Sequence, residues 1–384
     1  MTKPASCAAQ ALGQSIWYDN IERRLLTSGA LARLIDEQCV AGLTSNPSIF
    51  EKAITGSDDY DAALDEAQHQ APQATAQDLF YDLAIADIRA AADLFAARHR
   101  ASRGRDGWVS LEVSPDLAND TEATIDEAEA LFRRVDRPNL LIKVPATLAS
   151  LRAIETLIDR GININVTLLF AVERYQAVAD AYLLGLEARL RRGRPLDQVH
   201  SVASFFVSRV DTLIDKQLQS IIAQGDPERS RRAQGLLGSI ANANAKLAYE
   251  HYRNLYRGPR FQALAEAGAT PQRLLWASTS TKNPAYNDLL YVEPLIGPDT
   301  INTLPPATLA AFNEHGKVAP TLGSGIDAAR AQLAELEALG IDLATAARQL
   351  ETDGVKAFAD SYHNLLRAID AKRAITGVGT RAKG

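Results

Sequence analysis

Lys143 sits where lysines are uncommon. It falls within Asn139-Leu140-Leu141-Ile142-Lys143-Val144-Pro145-Ala146-Thr147, a short branched apolar run closed by proline. Such a run reads as a strand buried on both faces rather than as a helix. A charged amine in that setting costs free energy unless it is paired or discharged. Apolar surroundings favour the neutral form of an amine, and a neutral amine is the nucleophile that Schiff-base chemistry on a carbonyl requires. The plainer alternative is a strand-end lysine whose stem packs inside while its ammonium reaches water. The residues that share its neighbourhood decide between the two.

Several other polar residues fall where strands end. Asp19-Asn20 follows a strand candidate at Ser15 to Asp19, and Asn46 lies in Thr44-Ser45-Asn46-Pro47-Ser48. Taken singly, the first reads as a turn or helix cap and the second as a turn starter. Glu112 is flanked by Leu111 and Val113 and shares a strand face with Ser110 and Ser114, which places an acid in a polar interior. It is either an ion-pair partner of Lys143 or an acid/base. Asn163, Asn165 and Thr167 recur at period two and so share one face if their strand runs that far. Ser204 ends a later strand, Arg209 follows it, and Ser278 opens the loop Ser278-Thr279-Ser280-Thr281-Lys282-Asn283. A hydroxyl-rich loop with a nearby cation suits a phosphate, although most arginines in the position of Arg209 face water.

Jointly the set is more specific than any member. A lysine forms the imine, a carboxylate moves the proton of a substrate hydroxyl, and amides hold neighbouring hydroxyls. That is a class I aldolase constellation, in which the iminium is the electron sink and neither metal nor cofactor is needed.

Something must bring these residues to one place. Strand and helix patterns alternate along the chain, with strands expected at 15–19, 42–45, 108–113, 139–147, 162–166, 199–205, 274–277 and 291–296. Helices are expected over 25–38, 57–99 (interrupted near Pro72), 121–135 capped by Asp120, 150–160 ended by Gly161, 170–191, two stretches within 208–258, and most of 306–374. Eight strands separated by helices imply a parallel sheet and match a closed (β/α)8 TIM barrel, whose active sites lie at the C-terminal strand ends. An open doubly wound sheet is the alternative, but no GxGxxG opens a helix after the first strand. The expected organisation is one barrel domain over residues 1–384 with extra helices, the segment beyond about 305 packing on the barrel.

Bulk properties narrow the class further. With 41 basic and 47 acidic residues the net charge is −6, and no long basic run suits nucleic acid or an anionic membrane. No run of 18 apolar residues suggests a membrane span, and no charged-then-apolar leader suggests export. Six scattered histidines, none at i, i+3 or i, i+4 of another, make a histidine metal site improbable. Cys7 and Cys39, without CxxC spacing, read as free thiols in a reducing compartment, so a cytoplasmic enzyme is expected. Composition does not fix oligomeric state beyond monomer or homodimer.

The chain resembles the transaldolases of the pentose phosphate pathway. The resemblance is carried by Ser15-Ile16-Trp17-Tyr18-Asp19-Asn20, Gly42 to Phe50, Val109 to Val113, Leu141 to Thr147, Gly161 to Phe170, Ser204 to Asp211 and Ala277-Ser278-Thr279. These keep their order over residues 15–300 and look like the longer bacterial branch. The resemblance implies a class I aldolase barrel, permuted so that the lysine lies on strand four. It implies transfer of a dihydroxyacetone unit from sedoheptulose 7-phosphate to glyceraldehyde 3-phosphate. It also implies roles. Lys143 matches the Schiff-base lysine and Asp19 the acid/base on the C4 hydroxyl. Glu112 and Thr167 match the pair holding the water of carbinolamine formation and dehydration. Asn46 and Asn165 match the residues on the three-carbon unit, Ser204 a further active-site hydroxyl, and Arg209 the phosphate arginine. Shorter members carry an arginine soon after the strand-seven serine; here Lys282 takes that place by position and charge. They also have proline where this chain has Phe205. The rival readings are a related aldolase cleaving fructose 6-phosphate and a non-catalytic sugar-phosphate-binding barrel in which Lys143 merely pairs with Glu112.

Overall fold

The computed structural model describes residues 3–381, with side chains through residue 373. Helix α1 (Ala5–Ala11) leads into β1 (Gln14–Asp19), then α2 (Arg23–Thr27), α3 (Ala30–Glu37) and β2 (Gly42–Thr44). Helices α4 (Pro47–Thr55), α5 (Asp61–Gln70) and α6 (Ala76–Ala101) precede β3 (Trp108–Glu112), and α7 (Thr121–Val135) precedes β4 (Leu140–Pro145). There follow α8 (Leu148–Arg160), β5 (Ile164–Leu169), α9 (Val172–Arg191) and β6 (Ser201–Phe206). Helices α10 (Ser208–Ala223), α11 (Pro227–Gln234), α12 (Ile240–Arg257) and α13 (Pro259–Glu266) lead to β7 (Arg273–Ala277). The chain ends with β8 (Thr300–Leu304), α14 (Pro306–His315), α15 (Ile326–Ala338) and α16 (Leu343–Arg381).

All eight strands pair in parallel and in chain order, and β8 closes on β1. The result is the expected (β/α)8 barrel. Parallel strands under a helical coat are buried on both faces, and β4, β5 and β6 are buried throughout. Register then does the positioning. Lys143 lies opposite Glu112 on β3 and Asn165 on β5, and Asp19 lies opposite Thr44. Partners at one level of a parallel sheet point the same way, so Glu112, Lys143 and Asn165 form one row. At β2 the packing requires glycine: a Cβ on Gly42 would come 2.6 Å from the Trp17 ring.

Local signals set several helix ends. Asp120 caps α7 by accepting from the Ala123 amide at 3.0 Å, and Gly161 ends α8 at φ 90°, both as the sequence indicates. The 25–38 stretch is two helices, because Gly29 between them adopts φ 74°. The 208–258 stretch holds three helices rather than two.

Two further expectations are overturned. The run 291–296 is not strand eight: Pro294 sits in a short 3-10 turn at Glu293–Leu295, and the eighth strand is Thr300–Leu304. Nor are the cysteines free. Cys7 and Cys39 form a disulfide, their Cα atoms 5.1 Å apart, tying α1 to the loop before β2.

Helix α16 crosses the mouth of the barrel. Tyr362 meets Phe80 of α6 edge-on at 5.8 Å, Phe80 meets Phe50 of α4 at 5.5 Å, and the Ser48 and Ser361 hydroxyls lie 2.7 Å apart. Interlocked aromatic edges of this kind fix the crossing helix against α4.

Candidate active site

A cavity of about 450 Å³ opens at the C-terminal ends of the strands. Asp19, Asn46, Lys143, Thr167, Ser204, Arg209, Ser278 and Lys282 all line it, so eight of the ten residues singled out from sequence converge there. Glu112 and Asn165 do not reach the lining. They lie beside Lys143 within the wall, as their register requires.

Lys143 is buried. Its Nζ donates to the Ser45 carbonyl at 2.9 Å, stands 3.1 Å from Glu112 Oε2 and lies 5.9 Å from the centre of the Phe358 ring. Burial pushes the Glu112 carboxyl above its ordinary value, the Lys143 charge opposes that rise, and the charge of Asp19 adds to it. Besides the amine, Glu112 Oε2 has no hydrogen-bond partner among the described residues. Glu112 is therefore an acid disposed to hold a proton, set directly against the Lys143 amine.

Asp19 is also pushed up by burial, a rise opposed by the Thr44 hydrogen bond and by the charges of Lys143 and Lys282. Thr44 donates to its carboxylate at 2.6 Å and sits 2.7 Å from the Thr303 hydroxyl. The aspartate is thus oriented from β2 and β8 while its remaining face meets the cavity. The Thr167 hydroxyl is buried and makes no hydrogen bond to another described residue, which leaves it available to whatever enters.

The amides are arranged differently from one another. Asn46 caps α4, its Oδ1 accepting from the Ile49 amide at 3.0 Å, which leaves Nδ2 to donate into the cavity. Asn165 is engaged at both ends, donating to Ser110 Oγ at 3.0 Å and accepting from Ser204 Oγ at 2.7 Å. It therefore fixes Ser204.

One side of the cavity is cationic. The Arg209 guanidinium stacks over Phe206 at 5.3 Å, and the Lys282 amine donates to Ser280 Oγ at 2.6 Å. The Lys282 amine is pushed down first by burial, then by the charges of Arg209 and Lys52. Ser278, in a left-handed conformation at φ 54°, brings its hydroxyl 3.1 Å from that of Ser208.

Thr44, Thr303, Lys52 and Phe358 also line the cavity without having been singled out. Thr303 escaped notice because strand eight was sought eight residues too early. Phe358 lies on an apolar stripe with Tyr362, Leu365 and Ile369, all buried; the stripe shows that the helix packs, but not what it covers.

A closed parallel barrel with a buried amine in its wall, one acid against the amine and another lining the same cavity, has the layout that imine chemistry of the class I aldolase type would use. The family model described as Transaldolase/Fructose-6-phosphate aldolase matches residues 16–369, and the chain belongs to that family. It is 51% identical to a transaldolase of Thiobacillus denitrificans over 93% of this chain and 97% of that one. It is 48% identical to a transaldolase of a Parafrankia species over 96% and 98% of the two chains, and 44% identical to transaldolase 2 of a Nostoc species over 94% and 95%.

Proposed function

We propose that this chain is a transaldolase that moves a dihydroxyacetone unit from sedoheptulose 7-phosphate to glyceraldehyde 3-phosphate. The observation that carries the reading is the Lys143 amine, buried in the cavity wall 3.1 Å from Glu112 and sharing the cavity with Asp19. The amine adds to the C2 ketone of the donor. The carbinolamine loses water with protons relayed through Glu112 and the Thr167 hydroxyl, leaving an iminium. Asp19 takes the C4 hydroxyl proton as the C3–C4 bond breaks, and the electron pair of that bond passes into the iminium to give an enamine. Erythrose 4-phosphate leaves. The enamine carbon then attacks the aldehyde of glyceraldehyde 3-phosphate, Asp19 returns the proton, and water releases fructose 6-phosphate.

Asn46 and Ser204, the latter held by Asn165, grip the three-carbon unit, while Arg209, Ser278 and Lys282 receive the phosphate. Transfer requires the enamine to outlast departure of the first aldose. Restricted water helps, and Phe358 on the crossing helix narrows the mouth over Lys143. A pair fixed only for structure would leave Asp19 and the free Thr167 hydroxyl without a use, which disfavours the binding-only reading. We place the enzyme in the cytoplasm, where phosphorylated sugars are confined by their charge, acting as one folded unit and as a monomer or homodimer. Among the described residues no helix is long and apolar enough to cross a membrane.

The test is a two-substrate assay. Sedoheptulose 7-phosphate alone should give little erythrose 4-phosphate, and addition of glyceraldehyde 3-phosphate should release it together with an equal amount of fructose 6-phosphate. Steady release of free dihydroxyacetone from fructose 6-phosphate at the same rate would make the chain a simple aldolase.

A further inference from the structure

Lys52 belongs to none of the groups that the chemistry above employs. It lies in the last turn of α4, the helix that Asn46 caps, and its side chain lines the same cavity as Arg209 and Lys282. The three cations come from three separate elements: α4, the start of α10 and the loop after β7. Among the described residues none of the three forms an ion pair with a carboxylate, whereas Lys143 in the same cavity pairs with Glu112. The three share one lining, and the charges of Lys52 and Arg209 both push the Lys282 amine down. Asp19 and Glu22 line the cavity too, and the Asp19 charge opposes part of the shift at Lys282, but neither carboxylate forms an ion pair with the three cations, so the cations remain open to an entering anion.

The three are also mounted differently. Lys282 stands on the loop after β7, its residue largely open while its amine turns toward the cavity, and Arg209 is pinned against Phe206. Lys52 rises from a helix fixed by its cap and by Phe50, two residues earlier, in the aromatic contact with Phe80. A phosphate monoester carries close to two negative charges at neutral pH, with its second ionisation near pH 6. Arg209 and Lys282 match those two charges; a third cation makes the cleft favour the dianion over a neutral or singly charged end group.

We infer that Lys52 is a specificity-determining cation that selects phosphorylated aldehydes and ketoses by contacting the substrate phosphate together with Arg209 and Lys282. This rests on the proposed transaldolase reading of the same cavity. Lys52 takes no part in the covalent steps, so its loss should appear in binding and leave the chemistry at Lys143 unchanged.

The experiment uses the full chain and Lys52→Gln, with saturating donor and two acceptors, glyceraldehyde 3-phosphate and unphosphorylated glyceraldehyde. For the phosphorylated acceptor KM should rise about tenfold at unchanged kcat, the equivalent of one charge-assisted contact. For glyceraldehyde kcat/KM should stay within twofold of wild type, Lys52→Arg should restore most of the loss, and the rise should shrink at high salt. Equal losses on both acceptors, a fall in kcat at unchanged KM, or no change would overturn the assignment. Calorimetric binding of inorganic phosphate reads the same cleft without turnover. A chain that transfers nothing yet binds phosphate more weakly as Lys52→Gln would retire the functional reading and keep the cation.

Discussion

Two buried ion pairs stand at opposite ends of this barrel, and they are built to different purposes. At the N-terminal end of the strands Arg273 pairs with Asp106 at 3.4 Å. Its guanidinium also donates to the Arg105 carbonyl at 2.7 Å, to Ser15 Oγ at 2.6 Å and to the Thr300 carbonyl at 2.9 Å, and Ser15 in turn donates to Asp106 at 2.6 Å. Only the Arg273 Nε is left over. At the C-terminal end, among the described residues, Lys143 has one carbonyl and one carboxylate, Glu112 Oε2 has only the amine, and the nearby Thr167 hydroxyl has no partner. Both pairs are desolvated, and desolvation makes unmet polar groups costly. The protein surrounds the Arg273 guanidinium with four oxygen partners and gives the Lys143–Glu112 pair few. Polar satisfaction separates a pair that holds the barrel shut from the pair we propose to react.

The largest effects should divide along this line. Lys143→Met should lower transfer by on the order of 10⁴-fold or more while leaving the melting midpoint within a few degrees, because Glu112 is already disposed to take a proton and become neutral. Arg273→Met removes the buried cation that Asp106 and Ser15 are arranged around. It should cost about 3–5 kcal/mol of stability in denaturant titration, with kcat of the molecules that remain folded close to wild type. If the two variants exchange these signatures, the contrast is wrong.

Asp19→Asn sharpens the reactive half. It keeps the shape and the Thr44 contact but cannot take the C4 proton, so kcat should fall about 10²–10⁴-fold while the imine still forms, as measured by borohydride trapping beside steady-state rates. Loss of trapping would move Asp19 from cleavage to imine formation.

The disulfide belongs to the quiet end. Reducing Cys7–Cys39 should lower stability by up to about 3 kcal/mol, read as a shift in denaturant midpoint, and leave kcat unchanged. A fall in kcat on reduction would tie the N-terminal helix to catalysis.

The smallest effect is a pH dependence. Asp19 and Glu112 both hold their protons above their unfolded values of 3.8 and 4.5. The folded chain therefore binds protons more tightly than the unfolded one at these sites. Their contribution to stability is full below those unfolded values and is lost as pH rises through the raised folded ones. The Lys143 charge limits that loss, so Lys143→Met should show a steeper fall of stability with rising pH than wild type, and Arg273→Met should not. Parallel curves for all three would contradict the coupling.

Much of this was legible in the chain because burial and polarity collide in few places. An unbroken apolar run with one lysine, an acid between Leu111 and Val113, and Asn165 and Thr167 at period two can coexist only inside a barrel. Asp120 and Gly161 announced their helix ends by local chemistry alone. What escaped depended on distance through space. The apolar run at 291–296 mimics a strand, while the true β8 carries Thr300, Asn302 and Thr303 and reads as a loop because buried polar side chains fall on both of its faces. Thirty-two residues separate the two cysteines, and no spacing rule reveals that folding brings them into bonding reach. Lys52 and Phe358 look like an ordinary helix-surface cation and an ordinary core aromatic until α4 and α16 are seen to border one cavity.

The most direct test is chemical. Incubation with fructose 6-phosphate and borohydride, followed by proteolysis and peptide mass mapping, should place a reduced three-carbon or hexose phosphate adduct on the peptide containing Lys143 and on no other. An adduct on a different lysine, or one that persists in Lys143→Met, would contradict the claim that this amine is the nucleophile.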